Sequence, residues 1–309
     1  MNIASLINAL PGAAAQGLIW AVMAIGVYIT FRILDVADLT VDGTLGLGGA
    51  VCIMCMLGGM NVWTSMLIAF GAGILAGLVT GLFHTFMGIP AILAGILTQL
   101  SLYSVNLKIM GKSNQAINVD KFDLLVSLRY IKDVPFYRNT ILIVAVIVAL
   151  VIAVLYWFFG TELGCSIRAT GCNGNMSRAQ GINTSFTTVL GLMLSNGLVA
   201  FSGALLSQYQ GFADVQMGRG AIVIGLAAVV IGEALFSKIF RNFALKLLSV
   251  AIGSIIYYLV MQICIWCKID TDLLKMLSAI VVAIFLAVPY WKAKYFTRVA
   301  VKKGEKTDA

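Results

Sequence analysis

The stretch Thr161–Ser185, TELGCSIRATGCNGNMSRAQGINTS, is the longest polar interruption in the second half of a very apolar chain. It carries two arginines, Arg168 and Arg178, then a cluster of glycine and asparagine, and finally a short helix-like run that closes on Gly181. Because unpaired backbone polar groups are too costly in lipid, a polar connection between two apolar segments faces water. The regular placement of its glycine, asparagine and arginine residues favours a short helix that binds a soluble partner over a flexible linker.

The composition indicates that a lipid bilayer surrounds most of the chain. Of the 309 residues, 61% are hydrophobic and 11% are charged, whereas soluble domains carry roughly 25% charged residues. The 31 glycines and four prolines suit helices that pack closely in a membrane. We therefore predict an all-α, polytopic membrane protein.

About nine apolar segments approach the ~20 residues that a helix needs to cross a bilayer. They are Gly12–Leu34, Thr44–Gly59, Val62–Phe83, Ile89–Ile109, Thr140–Phe159, Thr187–Tyr209, Ala221–Phe236, Leu245–Trp266 and Leu273–Trp291. The second and seventh are short, which is typical of broken helices near a transport path. The prediction is one transmembrane domain over residues 1–291, followed by a basic tail over residues 292–309.

Basic residues in short loops predict which end of the bundle faces the cytoplasm. The net charge is +8, and residues 290–309 hold six Lys or Arg, so the tail is placed in the cytoplasm. Counting spans backwards places Thr161–Ser185 inside and the N-terminus outside. The loop over residues 108–139 then lies outside, although it also carries six Lys or Arg and three Asp.

That outer loop has apolar residues at helical spacing among charged ones. They are Val119, Phe122, Leu125, Leu128 and Ile131. The spacing predicts an amphipathic helix that lies on the membrane surface. Such a helix can brace the bundle at the interface or provide a docking surface for an external protein, and the sequence leaves both roles open.

The stretch Asp35–Gly49, DVADLTVDGTLGLGG, combines three carboxylates with four glycines. Thr40 or Asp42 can cap a helix that begins near Thr44. One interpretation is a solvated helix cap with an ion pair between Arg32 and an aspartate. The other is a segment that lines or gates a path through the membrane.

Four glycines in the third apolar segment form a ladder of small residues. They are Gly71, Gly73, Gly77 and Gly81. Small residues spaced by four positions let two helix backbones approach closely. The ladder therefore predicts a helix-packing face.

Uncharged polar residues recur inside the predicted spans, where each must pair with another helix or face a cavity. They are Gln99, Ser101, Asn106, Ser195, Asn196, Ser202, Gln208 and Tyr257. Each can serve as an interhelical contact or as a contact to a polar solute. With the broken segment they give the candidate residues of a translocation path: Asp38, Thr40, Asp42, Thr44, Gln99, Asn106, Asn196 and Gln208.

Several classes of function are excluded by missing motifs. There is no P-loop, no GxSxG and no HExxH, and His84 is the single histidine. The two Cys-x-x-Cys pairs lie within or beside apolar runs and are interpreted as packing residues rather than zinc ligands. We predict no catalytic residue, no metal site, no cofactor and no nucleic-acid partner, so the chain is not an enzyme.

The energy source for transport follows from the same exclusions. Few charges fall at mid-membrane, with Glu233 the nearest candidate, which disfavours a proton-driven carrier. Without a P-loop the chain does not hydrolyse ATP itself, so energy for active transport arrives through another subunit. The alternative is an ion-coupled secondary transporter that works without an ATPase.

Two motifs resemble a known family. Asp38-Leu39-Thr40-Val41, within the block Gly12–Val51, is similar to a signature of ribose-type sugar permeases, from which the chain departs by inserting Asp42 before Gly43. Ile167–Asn183 resembles the cytoplasmic coupling loop of the branched-chain amino acid and ribose permeases of ABC importers. The stretch Tyr103–Gly111 is similar to a subgroup linked to the uptake of aromatic amino acids or similar small solutes.

The resemblance implies a permease subunit that forms a dimer, with a homodimer expected, in a bacterial plasma (inner) membrane. It would work with cytoplasmic ATP-binding subunits, which hold ATP and Mg²⁺, and with an extracytoplasmic solute-binding protein. A helix at 175–180 would enter the ATPase groove, with Arg178 as its polar contact and Gly181 as its end. The implied coupling residues are Asn175, Met176, Ser177, Arg178, Ala179, Gln180, Gly181, Ile182 and Asn183.

Overall fold

The computed structural model describes residues 3–119, 121–122, 124–131, 139–236, 239–240, 242–267, 273, 276–285, 287 and 291. The described helices are α1 (Ile3–Tyr28), which continues as a π-helix (Ile29–Ile33), α2 (Val41–Leu57), α3 (Val62–Thr85), α4 (Ala91–Met110), a 3-10 helix (Leu128–Ile131), α5 (Thr140–Phe159), α6 (Glu162–Cys172), α7 (Gly174–Ala179), α8 (Thr184–Gln210), α9 (Ala221–Phe236), α10 (Phe243–Trp266) and α11 (Met276–Phe285). Two short strands, β1 (Asn114–Ala116) and β2 (Phe212–Asp214), pair antiparallel.

The prediction of an all-α, polytopic membrane protein is confirmed. Six helices in the described part of the chain are long and apolar enough to cross a membrane: α1 with its π extension, α3, α4, α5, α8 and α10. The apolar helices α2, α9 and α11 are shorter, and the first two, of 17 and 16 residues, are the segments that were predicted to be short. Six of the 19 residues of the ninth predicted span, 274, 275, 286 and 288–290, and all of the basic tail lie outside the described residues.

Helix α8 lies at the centre of the bundle, and glycines of α3 allow the two helices to cross in close contact. A Cβ atom at Gly77 would collide with the backbone of Leu192, and Gly73 meets α8 at Asn196 in the same way. The ladder is thus confirmed at Gly73, Gly77 and Gly81, but it is wrong at Gly71, whose added Cβ would meet nothing within 4 Å. Two residues are about 200° of rotation around a helix, so Gly71 faces away from the packing side.

Serine hydroxyls and further glycines join α1 to its neighbours. Ser195 and Ser202 of α8 donate to carbonyl oxygens of α1 over 2.7 and 2.8 Å, and Ser254 of α10 does so over 2.8 Å. Gly26 allows α1 to approach the backbone of α8, and Gly225 allows α9 to approach α1. These serines act as interhelical contacts, because in lipid a buried hydroxyl needs a partner within the bundle.

The two ends of the bundle differ. At one end, called here the sheet end, β1 follows α4 and β2 follows α8, and Asn114 pairs with Asp214. At the other, the loop end, α6 and α7 connect α5 to α8. Helices α3, α4 and α5 present large apolar side chains outwards, which suits contact with lipid; examples are Leu67, Leu75, Leu100, Leu150 and Trp157.

The amphipathic helix predicted for residues 119–131 is wrong for the described residues. Turns and bends lead there into a short 3-10 helix, and the side chains of Leu124 and Val126 are buried. The N–H of Leu125 donates to Oε1 of Gln208 over 3.3 Å, so α8 rather than a helical turn satisfies this backbone group. Residues 120, 123 and 132–138 lie outside the described part of the loop.

The close approach of α3 to α8 predicts a difference between two identical substitutions in one helix. In Gly77→Ala the new Cβ collides with the backbone carbonyl of Leu192, which is fixed within α8. Overpacking of this kind lowers the free energy of unfolding by about 1–3 kcal/mol. In Gly71→Ala the Cβ points into open space, and the better helix propensity of alanine is worth roughly 1 kcal/mol. Thermal unfolding in detergent should show a lower midpoint for Gly77→Ala only, and equal midpoints would contradict the packing.

Candidate functional site

The connection between α1 and α2 is a break inside the bundle. The last turn of α1 widens into a π-helix, in which the N–H of Leu34 donates to Ile29 O over 3.0 Å. The next residue, Asp35, has a φ of 55°, the left-handed region that aspartate accepts more readily than most residues. π-Helical turns occur frequently at functional sites. The chain then continues as an irregular segment until α2 begins at Val41.

Asp38 is the buried carboxylate of this break. Its Oδ1 accepts the N–H of Thr40 over 2.9 Å, and its Oδ2 accepts Nδ2 of Asn196 over 2.7 Å. Asn196 lies near the middle of the 27-residue α8, so Asp38 lies deep in the bundle. This corrects the expectation that Glu233 is the carboxylate nearest to mid-membrane.

Threonine side chains extend the contacts of Asp38 across four helices. Thr44 donates to Oδ1 of Asn196 over 2.8 Å, and the hydroxyls of Thr40 and Thr80 are 2.8 Å apart. The hydroxyl of Thr80 in turn donates to the hydroxyl of Thr98 over 3.0 Å. We call the following set the Asp38 cluster: Asp38, Thr40, Thr44, Thr80, Thr98 and Asn196.

Four members of the cluster were predicted from the sequence and two were not. Thr80 and Thr98 each also lie within hydrogen-bond distance of the carbonyl four residues earlier in their own helix, at 3.2 and 3.0 Å. A threonine of that kind is compatible with any membrane helix, because its hydroxyl is satisfied locally. The signal that could have separated them is their position, since each lies on a buried helix face beside glycine or alanine.

Asp42 has a different role from the expected ones. Its carboxylate accepts the N–H groups of Gly220 and Ile222 over 2.9 and 3.0 Å, so it caps the start of α9 rather than that of α2. Thr40 occupies the N-cap position of α2 without a side-chain cap bond, and α2 begins three residues before the predicted start. The interpretation in which Arg32 pairs with an aspartate is also wrong, because Arg32 pairs with Glu233.

Arg32 pairs with a residue from the far end of the chain. Its Nε donates to Oε1 of Glu233 over 2.8 Å, which joins the π-helical turn to the last part of α9. Both side chains are partly exposed, at 56% and 31%. The pair therefore holds the two helices at an accessible edge of the bundle and not in its core.

The other path candidates lie apart from the Asp38 cluster. Asn106 donates to Gly43 O over 3.3 Å, and its buried Oδ1 has no partner among the described residues. Gln208 is buried near the sheet end and donates to Sγ of Cys52 over 3.6 Å. Gln99 is half-buried on α4, where its backbone packs on Gly43. The structure thus gives one cluster and several separate contacts instead of one continuous polar row.

At the loop end, three side-chain caps define α6, α7 and α8. Thr161 accepts the N–H of Gly164 over 3.4 Å, Asn173 accepts that of Met176 over 3.0 Å, and Asn183 accepts that of Phe186 over 3.2 Å. A capping side chain of this type replaces a missing intrahelical bond at the helix start. The predicted short helix is present as α7, whereas α6 was not predicted.

Helix α7 ends as the sequence predicted. Gly181 has a φ of 83°, a conformation that glycine adopts without strain, and its N–H donates to Arg178 O over 3.0 Å. Nε of Arg178 donates to the hydroxyl of Thr184 over 2.8 Å and so ties α7 to the start of α8. The other arginine of the loop, Arg168, lies 5.4 Å from the ring centroid of Phe243 on α10.

Helix α6 rests directly on the break between α1 and α2. Gly171 packs against the backbone of Ile33 and Leu34 so closely that any Cβ there would collide with the carbonyl of Ile33. The hydroxyls of Thr170 and Thr187 are 2.8 Å apart and join α6 to α8. The two-helix loop therefore contacts both elements that hold the Asp38–Asn196 hydrogen bond.

The described residues thus form a helical membrane bundle with a buried polar break and a capped helical loop at one end, an arrangement that suits a membrane transport protein. A family model described as branched-chain amino acid transport system / permease component matches residues 10–289, and the chain belongs to this family. It is accordingly a membrane permease subunit of an ABC importer. Family membership decides against the ion-coupled alternative.

Individual relatives agree with the family. The chain is 37% identical over 272 residues to a tyrosine transport system permease protein of Clostridioides difficile (strain R20291), with 88% of each chain covered. It is 26% identical over 251 residues to the fructose import permease protein FruF of Bifidobacterium longum (strain NCC 2705), covering 80% of this chain and 68% of that protein. The structure of PsaBC from Streptococcus pneumoniae in complex with Fab has a chain with the same fold, with a TM-score of 0.54 at 17% identity and coverage of 96% and 99%.

The Asp38 cluster predicts that two aspartates of the break respond differently to amide substitution. In Asp38→Asn, the new NH₂ group would face one of the two donors that now bind the carboxylate, and a buried group left without its partner costs about 1–3 kcal/mol. In Asp35→Asn, an exposed residue keeps a left-handed conformation that asparagine also accepts. Only Asp38→Asn should lower the midpoint of thermal unfolding in detergent, and an unchanged midpoint would contradict the cluster's role in stability.

Proposed function

We propose that this permease carries an amino acid or a related small organic solute, which an extracytoplasmic binding protein delivers and which a cytoplasmic ATPase pair drives inwards. The observation that carries the proposal is the contact of Gly171 with Ile33, because it joins the loop at one end of the bundle to the buried break. A similar relative named for tyrosine transport supports an amino acid as the solute. We further propose that two copies of the chain form the path between them.

The ATPase contact is assigned to α7. Residues Asn175, Met176, Arg178, Ala179 and Gln180 are exposed, while Ser177 is buried and faces the chain. Met176 and Phe186, at 56% and 54% exposure, add apolar area to this surface. A short helix with apolar and cationic side chains matches the helix-in-groove mode of recognition. Gly181, Ile182 and Asn183 then form the stop of α7 and the cap of α8.

Coupling follows from the contacts of the loop. A displacement of α7 is transmitted to α8 through the contact of Arg178 with Thr184. A displacement of α6 is transmitted to the break through the contact of Gly171 with Ile33. These two routes lead to the two sides of the Asp38–Asn196 hydrogen bond. Since packed helices move as rigid bodies, a shift of the loop repositions the break and α8 together. The Asp38 cluster, which includes Thr44, is in this proposal the hinge of the path, and Asp42 and Asn106 lie along it.

The proposed orientation places the loop end in the cytoplasm and the N-terminus outside. Native cysteines provide the test, because Cys172 is exposed on α6 at the loop end and Cys267 is exposed after α10 at the sheet end. In single-cysteine variants, an impermeant maleimide should label Cys172 only in inside-out vesicles and Cys267 only in right-side-out vesicles. The reverse pattern would overturn the orientation, while labelling of both in detergent serves as the control for accessibility.

Two matched proline substitutions test the coupling role of α7. Gly181→Pro cannot adopt the φ of 83° and loses the N–H bond to Arg178, so α7 loses its stop. Gly174→Pro falls on the first residue of the helix, where proline is accepted. In proteoliposomes with the ATPase and the binding protein, Gly181→Pro should reduce solute uptake at least tenfold, although capture of the binding protein is intact. Gly174→Pro should take up solute like the wild type.

Arg178→Glu provides an independent variant for the same role. It reverses the charge offered to the ATPase and removes the bond to Thr184. Uptake should fall while solute-binding-protein capture is intact. Normal uptake by both Arg178→Glu and Gly181→Pro would refute the coupling assignment. The permease reconstituted without the ATPase should be inert, and solute accumulation driven by an ion gradient alone would instead support a secondary carrier.

A further inference from the structure

A cavity of about 400 Å³ opens near the sheet end between α1, α9, α10 and α11. This volume lies within the range of roughly 300–1,000 Å³ that is common for small-molecule sites. Its polar lining comes from Gln16, Arg219, Gln262 and Ser278, and its aromatic lining from Tyr257 and Tyr258. We call it the Arg219 cavity. Neither the Asp38 cluster nor the α6–α7 loop contributes a residue to it.

The charge of the cavity selects for an anion. Arg219 is the one charged residue that lines it in the described part of the chain, and the Arg219 side chain has no hydrogen-bond or ion-pair partner there. The neighbouring N–H groups of α9 are not available to a ligand, because Asp42 already accepts two of them. An exposed guanidinium beside apolar lining residues, without a partner among the described residues, fits a carboxylate, which it can bind through two parallel hydrogen bonds.

The lining that α10 contributes is partly aromatic. The rings of Tyr257 and Tyr258 meet edge to face with centroids 5.4 Å apart, and Trp20 lies 5.8 Å from Tyr258 behind them. Aromatic walls of this kind bind aromatic or large apolar groups with a geometric preference. The half-buried amides of Gln16 and Gln262 have no partner among the described residues, and their oxygens can accept an ammonium group.

We infer that the Arg219 cavity is a solute site on the outer half of the path, for a zwitterionic amino acid with an aromatic or large apolar side chain. The inference rests on the proposed function and adds to it the class of solute and the residues that select it. The carboxylate binds Arg219, the side chain packs on Tyr257 and Tyr258, and the ammonium group faces the two glutamines. From this site the start of α9, held by Asp42, leads towards α2 and the Asp38 cluster.

The test uses the complete importer in proteoliposomes and begins with uptake of a panel of radiolabelled L-amino acids. Arg219→Gln should reduce uptake of the transported amino acid at least tenfold, with unchanged affinity of the binding protein and unchanged thermal stability. Lys112→Gln removes one exposed positive charge at the same end of the bundle but does not line the cavity, so it should transport like the wild type.

Two further variants test the volume of the cavity. Val223→Trp fills it from α9, whereas Val146→Trp adds the same ring to the outward face of α5, and both valines are exposed, at 40% and 58%. Only Val223→Trp should abolish uptake. Binding to the permease–ATPase complex in nanodiscs, without the binding protein, separates recognition from packing: the wild type should prefer the amino acid to its carboxamide, and Arg219→Gln should lose this preference.

The possible outcomes separate the inference from the proposed function. If no amino acid is taken up, the proposed function fails and the inference falls with it. If an amino acid is taken up but Arg219→Gln and Val223→Trp behave like their controls, the inference alone is overturned. A phospholipid retained by the purified complex, lost in Val223→Trp and not displaced by the amino acid would also overturn it, because the cavity would then be a lipid site.

Discussion

The hydrogen bond from Asn196 to Asp38, of 2.7 Å, is the contact on which the arrangement of the break between α1 and α2 depends. Removing a carboxylate from water costs several kcal/mol, so a buried one persists only where donors replace its hydration. Asp38 receives a backbone donor from Thr40 and a side-chain donor from α8. The break between α1 and α2 is therefore fixed at the depth where Asn196 lies, and α2 can begin inside the bundle and not at its surface.

This bond in turn requires helices without side chains at their crossing points. Gly48 of α2 meets the backbone at Ala200, and Gly203 of α8 meets that at Leu45, so either residue with a Cβ would hold α2 away from α8. Small residues at a crossing let polar side chains in adjacent turns reach each other over short distances. The glycines around the Asp38 cluster and the short polar contacts within it are thus two parts of one packing arrangement.

The sequence predicted what depends on local pattern. Hydropathy gave the bounds of α5 and α9 as the structure has them, and the asparagine and glycine around α7 predicted its place. Contacts between distant residues were not predictable, because no local pattern records that Asp42 caps a helix start 178 residues away. The helix predicted for the loop over residues 119–131 was wrong for a related reason. Its apolar spacing fits a helix, but the N–H of Leu125 donates to Gln208 of α8 and not to a helical turn, so the periodicity alone was misleading.

Two carboxylates, one near each end of α9, tie this helix to its neighbours. Asp42 holds its start to the first turn of α2, and Glu233 holds its last part to Arg32 in the π-helical turn of α1. Helix α9 is therefore fastened on both sides of the break and must follow it as a unit. In the proposed coupling, α6 contacts the same turn through Ile33, so a displacement that begins at the loop end would be carried along α9 to its other end, where the Arg219 cavity begins. The proposed connection between the ATPase contact and the proposed solute site then needs no flexible element, since helices tied by two carboxylates would transmit it.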